Sequence, residues 1–132
     1  MNKIVARCQD GRRIKGDTND FVPTKDRFHV TITDSAPSAK PLEVLMSDLK
    51  AVFFVKDFVG NRDYQAVKEF DATKPPVGRK IRVVFKDGEV MIGTTQGYQP
   101  GRPGFFLVPA DAKSNNERCF IVTAATKEIS FV

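Results

Sequence analysis

The sequence predicts an all-β protein, a tandem duplication of one five-stranded unit with a short, partly helical connector between the copies. The first observation is a self-match at a constant offset of 77 residues, which runs without a gap from Lys3/Lys80 to Val55/Val132. Twelve of its 53 positions are identical, whereas average residue usage would give about three by chance. The second observation is that short apolar runs alternate with turn residues throughout each copy. We therefore predict repeats at 1–55 and 80–132, joined by a connector at 56–79.

A β-hairpin opens each repeat, with an Asp-Gly turn at Asp10-Gly11 in the first. A two-residue turn would point Arg13 and Lys15 into a small core, and burying two cations there is costly. A three-residue loop with a left-handed glycine instead turns Ile14, and its counterpart Met91, inward. We adopt the three-residue loop in both repeats.

Three further strands complete each repeat. They are predicted at 28–32, 43–46 and 51–55 in the first repeat and at 105–108, 120–123 and 128–132 in the second. The tetrapeptide at 47–50 is too short for an α-helix and suits a single 3₁₀ turn. In the connector, Asn61 is placed to cap a short helix at 62–70, after which Pro75-Pro76 forces extended backbone.

Composition excludes several classes of protein. The 21 Lys and Arg residues against 16 Asp and Glu give a net charge of +5, which permits an anionic partner without requiring one. No apolar run reaches membrane-spanning length and the N-terminus lacks a signal-peptide pattern, so we expect a soluble, cytoplasmic protein with no membrane partner. Cys8, Cys119 and the single histidine, His29, are too few for a metal site.

Chemistry-bearing motifs are also missing from the sequence. It contains neither a Gly-x4-Gly-Lys-Ser/Thr loop nor a His-Glu-x-x-His pair. His29 aligns with Phe106, an aromatic strand position, so a structural role is favoured over a catalytic one. We therefore predict no enzyme activity, no catalytic residue, no metal and no cofactor.

The outer face of the first hairpin is basic in this register. Arg7, Arg13 and Lys15 share that face. They form either a solvated edge that prevents strand pairing or an anion-binding face, and both interpretations stay open.

The corresponding face of the second hairpin is apolar. Val84, Val90 and Ile92 occupy it, and burying each side chain contributes roughly 1.5 to 3 kcal/mol. We predict that they form an interface with something outside their own repeat. Phe53, whose counterpart is Ser130, is predicted to cover an interface of the first repeat.

Two loops are candidates for ligand binding. Each combines an aromatic residue, a proline and a base: Phe21 with Lys25 in the first, and Tyr98 with Arg102 in the second. A ring that stacks beside a cation is typical of anion or protein binding. The alternative is that Phe21 and Tyr98 only plug the mouths of the two repeats.

The strand order and the hairpin motifs resemble known small barrels. Five short strands with a break near the end resemble an SH3-like or Sm-like barrel, and Ile14-Lys15-Gly16 with Phe21, like Met91-Ile92-Gly93 with Tyr98, is similar to the first motif of the Sm family of RNA-binding barrels. That family has an Asp where this chain has Val22. The resemblance implies a barrel in each repeat and RNA binding as an alternative function.

A second resemblance covers nearly the whole chain. The stretches 49–58 and 96–107 resemble a family of uncharacterised bacterial proteins, which implies a bacterial, cytosolic, two-repeat module. We therefore expect a non-enzymatic binding or regulatory module with a protein partner, or alternatively with nucleic acid. A PilZ-like nucleotide receptor is a weaker alternative, because its Arg-x-x-x-Arg and Asp/Asn-x-Ser-x-x-Gly motifs are missing from the sequence. The identity of the ligand and the oligomeric state are not predicted.

Overall fold

The computed structural model describes residues 2–33, 39–56, 78–98, 101–110 and 116–132, with only the backbone of 116 and 117. The described part is almost entirely β-structure. Its strands are β1 Asn2–Cys8, β2 Arg13–Thr18, β3 Arg27–Ile32, β4 Leu42–Leu45, β5 Leu49–Val55, β6 Arg79–Phe85, β7 Val90–Thr95, β8 Gly104–Pro109, β9 Asn116–Val122 and β10 Thr126–Phe131. Short 3₁₀ helices at Met46–Asp48 and Thr123–Ala125 precede β5 and β10. No helix in these ranges is long and apolar enough to cross a membrane.

The strands form one antiparallel sheet in the order β10-β6-β7-β8-β9-β5-β1-β2-β3-β4. The order within the first half, β5-β1-β2-β3-β4, is the same as that within the second, β10-β6-β7-β8-β9. The registers also agree: Ala6 pairs with Ile14 in the first hairpin, and Val83 pairs with Met91 in the second. Both pairs are separated by the 77-residue offset of the sequence. Residues 77 apart are called equivalent below.

The expectation of a closed barrel in each repeat is wrong, because the halves merge through a β5·β9 pairing into one sheet. Val52 pairs with Phe120 and Phe53 with Cys119. Successive residues of β5 point alternately into two cores: Val52 and Phe54 into the first, and Phe53 into the second. All seven residues of β5 are buried. A strand that is apolar on both faces is stable only inside a sheet, covered on each side, which explains the continuous architecture.

The hairpin loops are three residues long, as the sequence predicts. The Cys8 N–H donates to the Arg12 oxygen at 2.8 Å, and Gly11 lies between them with φ of 94°. Ile14 consequently packs against the first core and Met91 against the second. Only a residue that tolerates left-handed backbone closes this loop without strain. The predicted connector helix at 62–70 lies outside the described residues.

A glycine in β2 provides a direct test of the sheet geometry. Gly16 is buried, and a Cβ there would meet the main-chain oxygen of Thr31 and the side chain of Val30 well inside van der Waals contact. We expect Gly16→Ala to lower the free energy of unfolding by about 1 to 3 kcal/mol, because the β3 backbone must move. Urea denaturation measures the change. Gly97→Ala is the control, since a Cβ at Gly97 meets no atom within 4 Å; equal losses in both variants would contradict the packing.

Candidate functional site

A buried cation connects the two halves of the molecule. The side chain of Lys50, on β5, is only 5% exposed, and its Nζ donates to Asp87 Oδ2 at 2.7 Å and to Glu89 Oε1 at 2.6 Å. The same Nζ lies 4.6 Å from the centre of the Phe85 ring. A shallow recess of about 40 Å³ beside it, lined in part by Gln9, is far smaller than the roughly 300 to 1,000 Å³ of a typical small-molecule pocket. This recess therefore cannot enclose a drug-sized ligand.

Arg7 belongs to the same ion network. Its Nη1 lies 3.0 and 3.2 Å from the two carboxylate oxygens of Glu89, and its guanidinium lies over the Phe53 ring. Burial raises the pKa of Glu89, but the Lys50 hydrogen bond and the Arg7 charge outweigh it, so the pKa is lowered overall. The hydrogen bond from Lys50 is the largest cause that lowers the pKa of Asp87. Both carboxylates are therefore held ionised at the junction.

The predicted basic face is divided by this network. Arg7 is neutralised by Glu89, while Arg13 and Lys15 remain exposed on β2. Two exposed cations on one strand attract anions less strongly than three adjacent ones. The part of this face that is open to an anionic ligand consists of Arg13 and Lys15.

The predicted interface residues lie in two different environments. Phe53 is buried at the junction and packs into the second core. Val84, Val90 and Ile92 are half-buried on β6 and β7, where Val84 pairs with Val90. Phe53 is therefore the member of this predicted set that lies between the halves.

The aromatic residue of the first candidate loop packs internally. Phe21 makes edge-to-face contacts with Phe28, Phe54, Phe106 and Phe120 at centroid distances of 5.1 to 6.3 Å. Such pairs contribute about 0.5 to 1.5 kcal/mol each beyond burial. This packing favours the interpretation in which Phe21 plugs the first half.

The second candidate loop is more open. Tyr98 is half-buried and makes edge-to-face contacts with Phe105 and Phe131 at 4.9 and 5.7 Å. Arg102 is exposed, as is Lys25 in the first loop. Tyr98 therefore occupies the place of Phe21, but within the part of the chain that the structure describes it contacts two other rings, whereas Phe21 contacts four.

An Asp-His-Glu group lies on the exposed face of the first half. Asp20 Oδ2 is 2.7 Å from His29 Nδ1, and Asp20 Oδ1 accepts the His29 main-chain N–H at 2.9 Å. That main-chain bond is the largest cause of the lowered pKa of Asp20. The other ring nitrogen, Nε2, faces Glu43 Oε2 at 3.8 Å. The imidazole thus lies between two carboxylates, which fix the orientation of its ring.

The thiols and acidic groups offer little further chemistry. Cys8 and Cys119 are buried free thiols, and burial raises the pKa of each. A raised pKa keeps the thiol protonated, and the protonated form is a poor nucleophile. Within the described ranges, no group of three or more His, Cys, Asp or Glu side chains is arranged to hold a metal ion.

The two end strands of the sheet, β4 and β10, form the candidate functional site. In the described part of the chain each has a single strand neighbour, β3 and β6 respectively. Leu42 and Leu45 are exposed on β4, while Phe131 and the adjacent Val132 are exposed at β10. Exposed apolar side chains beside unpaired main-chain groups are typical of a binding edge.

Sequence reasoning missed the residues that build the junction: Lys50, Asp87, Glu89, Phe106 and Phe120. A signal for two of them was present. Phe106 and Phe120 are apolar where their equivalents, His29 and Glu43, are polar, which indicates that only one of the two repeats has a covered face there. Lys50 and Lys127 are identical in the alignment, so no sequence difference marked the buried one.

Comparisons with known proteins give a family and no function. The model of a family of unknown function, DUF6982, matches residues 1–132. No curated protein and no solved structure matches the chain.

Proposed function

We propose that this chain, which belongs to the family of unknown function DUF6982, is a non-enzymatic protein-binding module. It binds its partner along β4 and β10, the two end strands of the sheet. One observation carries the proposal. Of the six large hydrophobic side chains exposed in the described residues, four lie on or beside β4 and β10: Leu42, Leu45, Phe131 and Val132. Surface hydrophobic residues scattered at random would not concentrate on the two strands that also lack a second neighbour.

The physical mechanism is strand addition. An end strand presents a row of unpaired N–H and C=O groups, and an incoming strand satisfies them while its alternate side chains enter adjacent apolar sites. Main-chain hydrogen bonds supply affinity and the side chains supply selectivity. The small recess beside Lys50 is too small to bind a peptide segment in this way.

The shared strand order supports a finer proposal about the fold. Each half is a divergent copy of one SH3-like or Sm-like unit. The unit of the first half does not close on itself, because its β5 pairs with β9 of the second half. The equivalent pairs Ala6/Ile14 and Val83/Met91 support this origin. The bacterial and cytoplasmic setting expected from the sequence stays a prediction.

Nucleic-acid binding is the second candidate function. The exposed cations Arg13, Lys15 and Arg102 and the net charge of +5 favour it. Against it, Phe21 is occupied by four other rings, so it offers no free face for base stacking. Protein binding at the end strands is the stronger proposal.

Affinity capture from native lysate, with and without nuclease, tests the proposal with two sets of variants. The edge variant carries Leu42→Lys and Phe131→Glu, which place charges on both end strands. The matched face variant carries Arg13→Ala and Lys15→Ala. These change exposed side chains on β2, a strand that is paired on both sides. We expect the edge variant to lose proteins that the wild type and the face variant both retain, with or without nuclease.

The opposite pattern would overturn the proposal. If nuclease treatment and the face variant abolish capture while the edge variant retains it, the chain binds nucleic acid. In that case affinity should also fall steeply with salt. Far-ultraviolet circular dichroism of both variants establishes that each remains folded.

A further inference from the structure

We propose that the partner at the end strands is a second copy of this chain, whose β4 adds to β10 of the first molecule in a head-to-tail arrangement. This inference rests on the proposed function, because it names the occupant of the same two strands. Its basis is that the molecule already contains one such junction, between β5 and β9. β10 is the equivalent of β5 and β4 is the equivalent of β9, so the two free edges are the two sides of that junction.

The register of the internal junction transfers directly to the free edges. Internally, Ala51 pairs with Ile121 and Val52 with Phe120. The equivalents of the β5 residues are 77 positions later, on β10, and those of the β9 residues are 77 positions earlier, on β4. The same register therefore pairs Glu128 of one molecule with Val44 of the next, and Ile129 with Glu43. The strands run antiparallel in both cases. A second molecule can therefore continue the ten-stranded order without a new type of contact.

One ring cluster in the second half has, among the described residues, less cover than its counterpart in the first. In the first half, Phe21, Phe28 and Phe54 are sealed by Phe106 and Phe120 from across the junction, and Phe54 is buried.

The equivalent cluster consists of Tyr98, Phe105 and Phe131. There Phe131 is 39% exposed. The unsealed cluster lies where a neighbouring molecule would supply the cover.

The covering residues have changed together with the surface that they would cover. His29 and Glu43 stand at the positions of Phe106 and Phe120, and they would meet Tyr98 in place of Phe21. The phenol hydroxyl can hydrogen-bond to an imidazole or a carboxylate. Arg79 lies with its guanidinium carbon 3.6 Å from the Phe131 ring centre, and in the proposed contact it would add a cation near Glu43 of the neighbouring molecule. Polar residues on one edge thus match polar residues on the other.

The apolar part of the junction is also retained. Leu45 is the equivalent of Val122, which is buried in the first core. Leu45 is exposed on β4, and in the transferred register it would lie opposite Lys127 of the neighbouring molecule, whose aliphatic stem would cover it. Phe131 would lie opposite Pro41 in the same register, so apolar atoms of the neighbouring strand would cover each of these side chains.

The contact between molecules is weaker than the internal junction. Of the four ion-network positions, Lys50 and Asp87 are retained as Lys127 and Asp10, whereas Arg7 and Glu89 are replaced by Val84 and Arg12. Pro41 stands in place of Arg118 and has no N–H to donate. We therefore expect reversible, concentration-dependent association. Because the two edges differ, the contact is heterologous, and repetition gives a ring or a filament.

Two variants each block one edge. Phe131→Glu places a carboxylate on β10 beside Arg79, and Leu45→Lys places a cation on β4 that would lie opposite Lys127 of the neighbouring molecule, where like charges repel. Light scattering after size-exclusion chromatography measures the mass. We expect the wild type to form oligomers as its concentration rises and each variant alone to remain a 14.7 kDa monomer.

Mixing the two variants distinguishes head-to-tail pairing from other contacts. The mixture retains one intact β10 and one intact β4, so we expect a 1:1 complex with twice the monomer mass and no larger species. Val108→Glu is the control. Val108 is more exposed than Phe131 but lies on β8, which is paired on both sides, so this variant should assemble like the wild type.

Three results would overturn the inference: a monomeric wild type at high concentration, a single-edge variant that dimerises by itself, or a mixture that stays monomeric. Failure of the proposed function is distinguishable from these results. If the wild type is monomeric but the edge variant still loses captured proteins, strand addition stands with a different partner. If the wild type is monomeric and the edge variant captures the same proteins as the wild type, both proposals fail.

Discussion

Lys50→Ala is expected to cost about 3 kcal/mol of unfolding free energy, near the lower end of the 3 to 5 kcal/mol measured when a buried ion pair loses one partner. The substitution leaves Asp87 and Glu89 without the ammonium group that both contact, and it removes the same group from the face of the Phe85 ring. Both carboxylates keep some contact with solvent, and Arg7 still pairs with Glu89, which keeps the loss from being larger. Chemical denaturation monitored by circular dichroism measures it.

Lys127→Ala is the matched control, because Lys127 is the equivalent lysine and is exposed. Its loss should stay within about 0.5 kcal/mol. The pH dependence provides a second readout. Since the folded pKa values of Asp87 and Glu89 are lowered, their contribution is complete above the unfolded values near 4 and is lost as the pH falls through the folded values. Lys50→Ala should flatten this acid limb; an unchanged acid limb would contradict the ion network.

Phe120→Ala is expected to cost about 3 to 5 kcal/mol, because the ring is fully buried and its removal leaves a cavity. The residue belongs to β9 of the second half but packs into the core of the first, where it contacts Phe21 and Phe106. The cavity therefore opens at the junction between the halves. Differential scanning calorimetry measures the loss, and we expect the single transition to broaden or split as the halves become less strongly coupled.

Glu43→Ala tests the equivalent position at the free edge. Glu43 is exposed and pairs with Arg27 at 3.3 Å, and a surface ion pair contributes between about 0 and 1 kcal/mol. The stability of the monomer should therefore change little. A loss comparable to that of Phe120→Ala would mean that β4 is covered in the isolated molecule, and the assignment of β4 as an open edge would fail.

Local patterns account for the parts of the structure that were predicted correctly. Asp10-Gly11 specified a three-residue loop because only a left-handed glycine closes it, and this loop in turn placed Ile14 and Met91 on the core side. Alternation along β1 and β3 and the 3₁₀ break before β5 follow from contacts between neighbours in the sequence or across one hairpin. Such contacts are encoded within a few residues, so they can be predicted from a single chain.

The candidate site depended on contacts that no local pattern contains. Phe21 and Tyr98 are equivalent in the sequence, yet Phe21 is enclosed by two rings from the other half and Tyr98 is not. Arg7 was expected to line a free basic face, but Glu89, which is 82 residues away, neutralises it. These differences arise because the halves meet asymmetrically: one edge of each is paired at the junction, and the other has no second strand neighbour among the described residues.

By itself the sequence determined an all-β chain, the turn type of its hairpins and the 77-residue equivalence, since each follows from short-range sterics and hydrophobic alternation. Only the tertiary structure decided how the halves are joined. Pairing of β5 with β9 turned the expected barrels into one ten-stranded sheet, buried Lys50 while leaving the identical Lys127 exposed, and left β4 and β10 as its ends. The physical reason is that each edge satisfies its hydrogen bonds and covers its apolar residues with whichever strand it meets, and that choice depends on the whole chain.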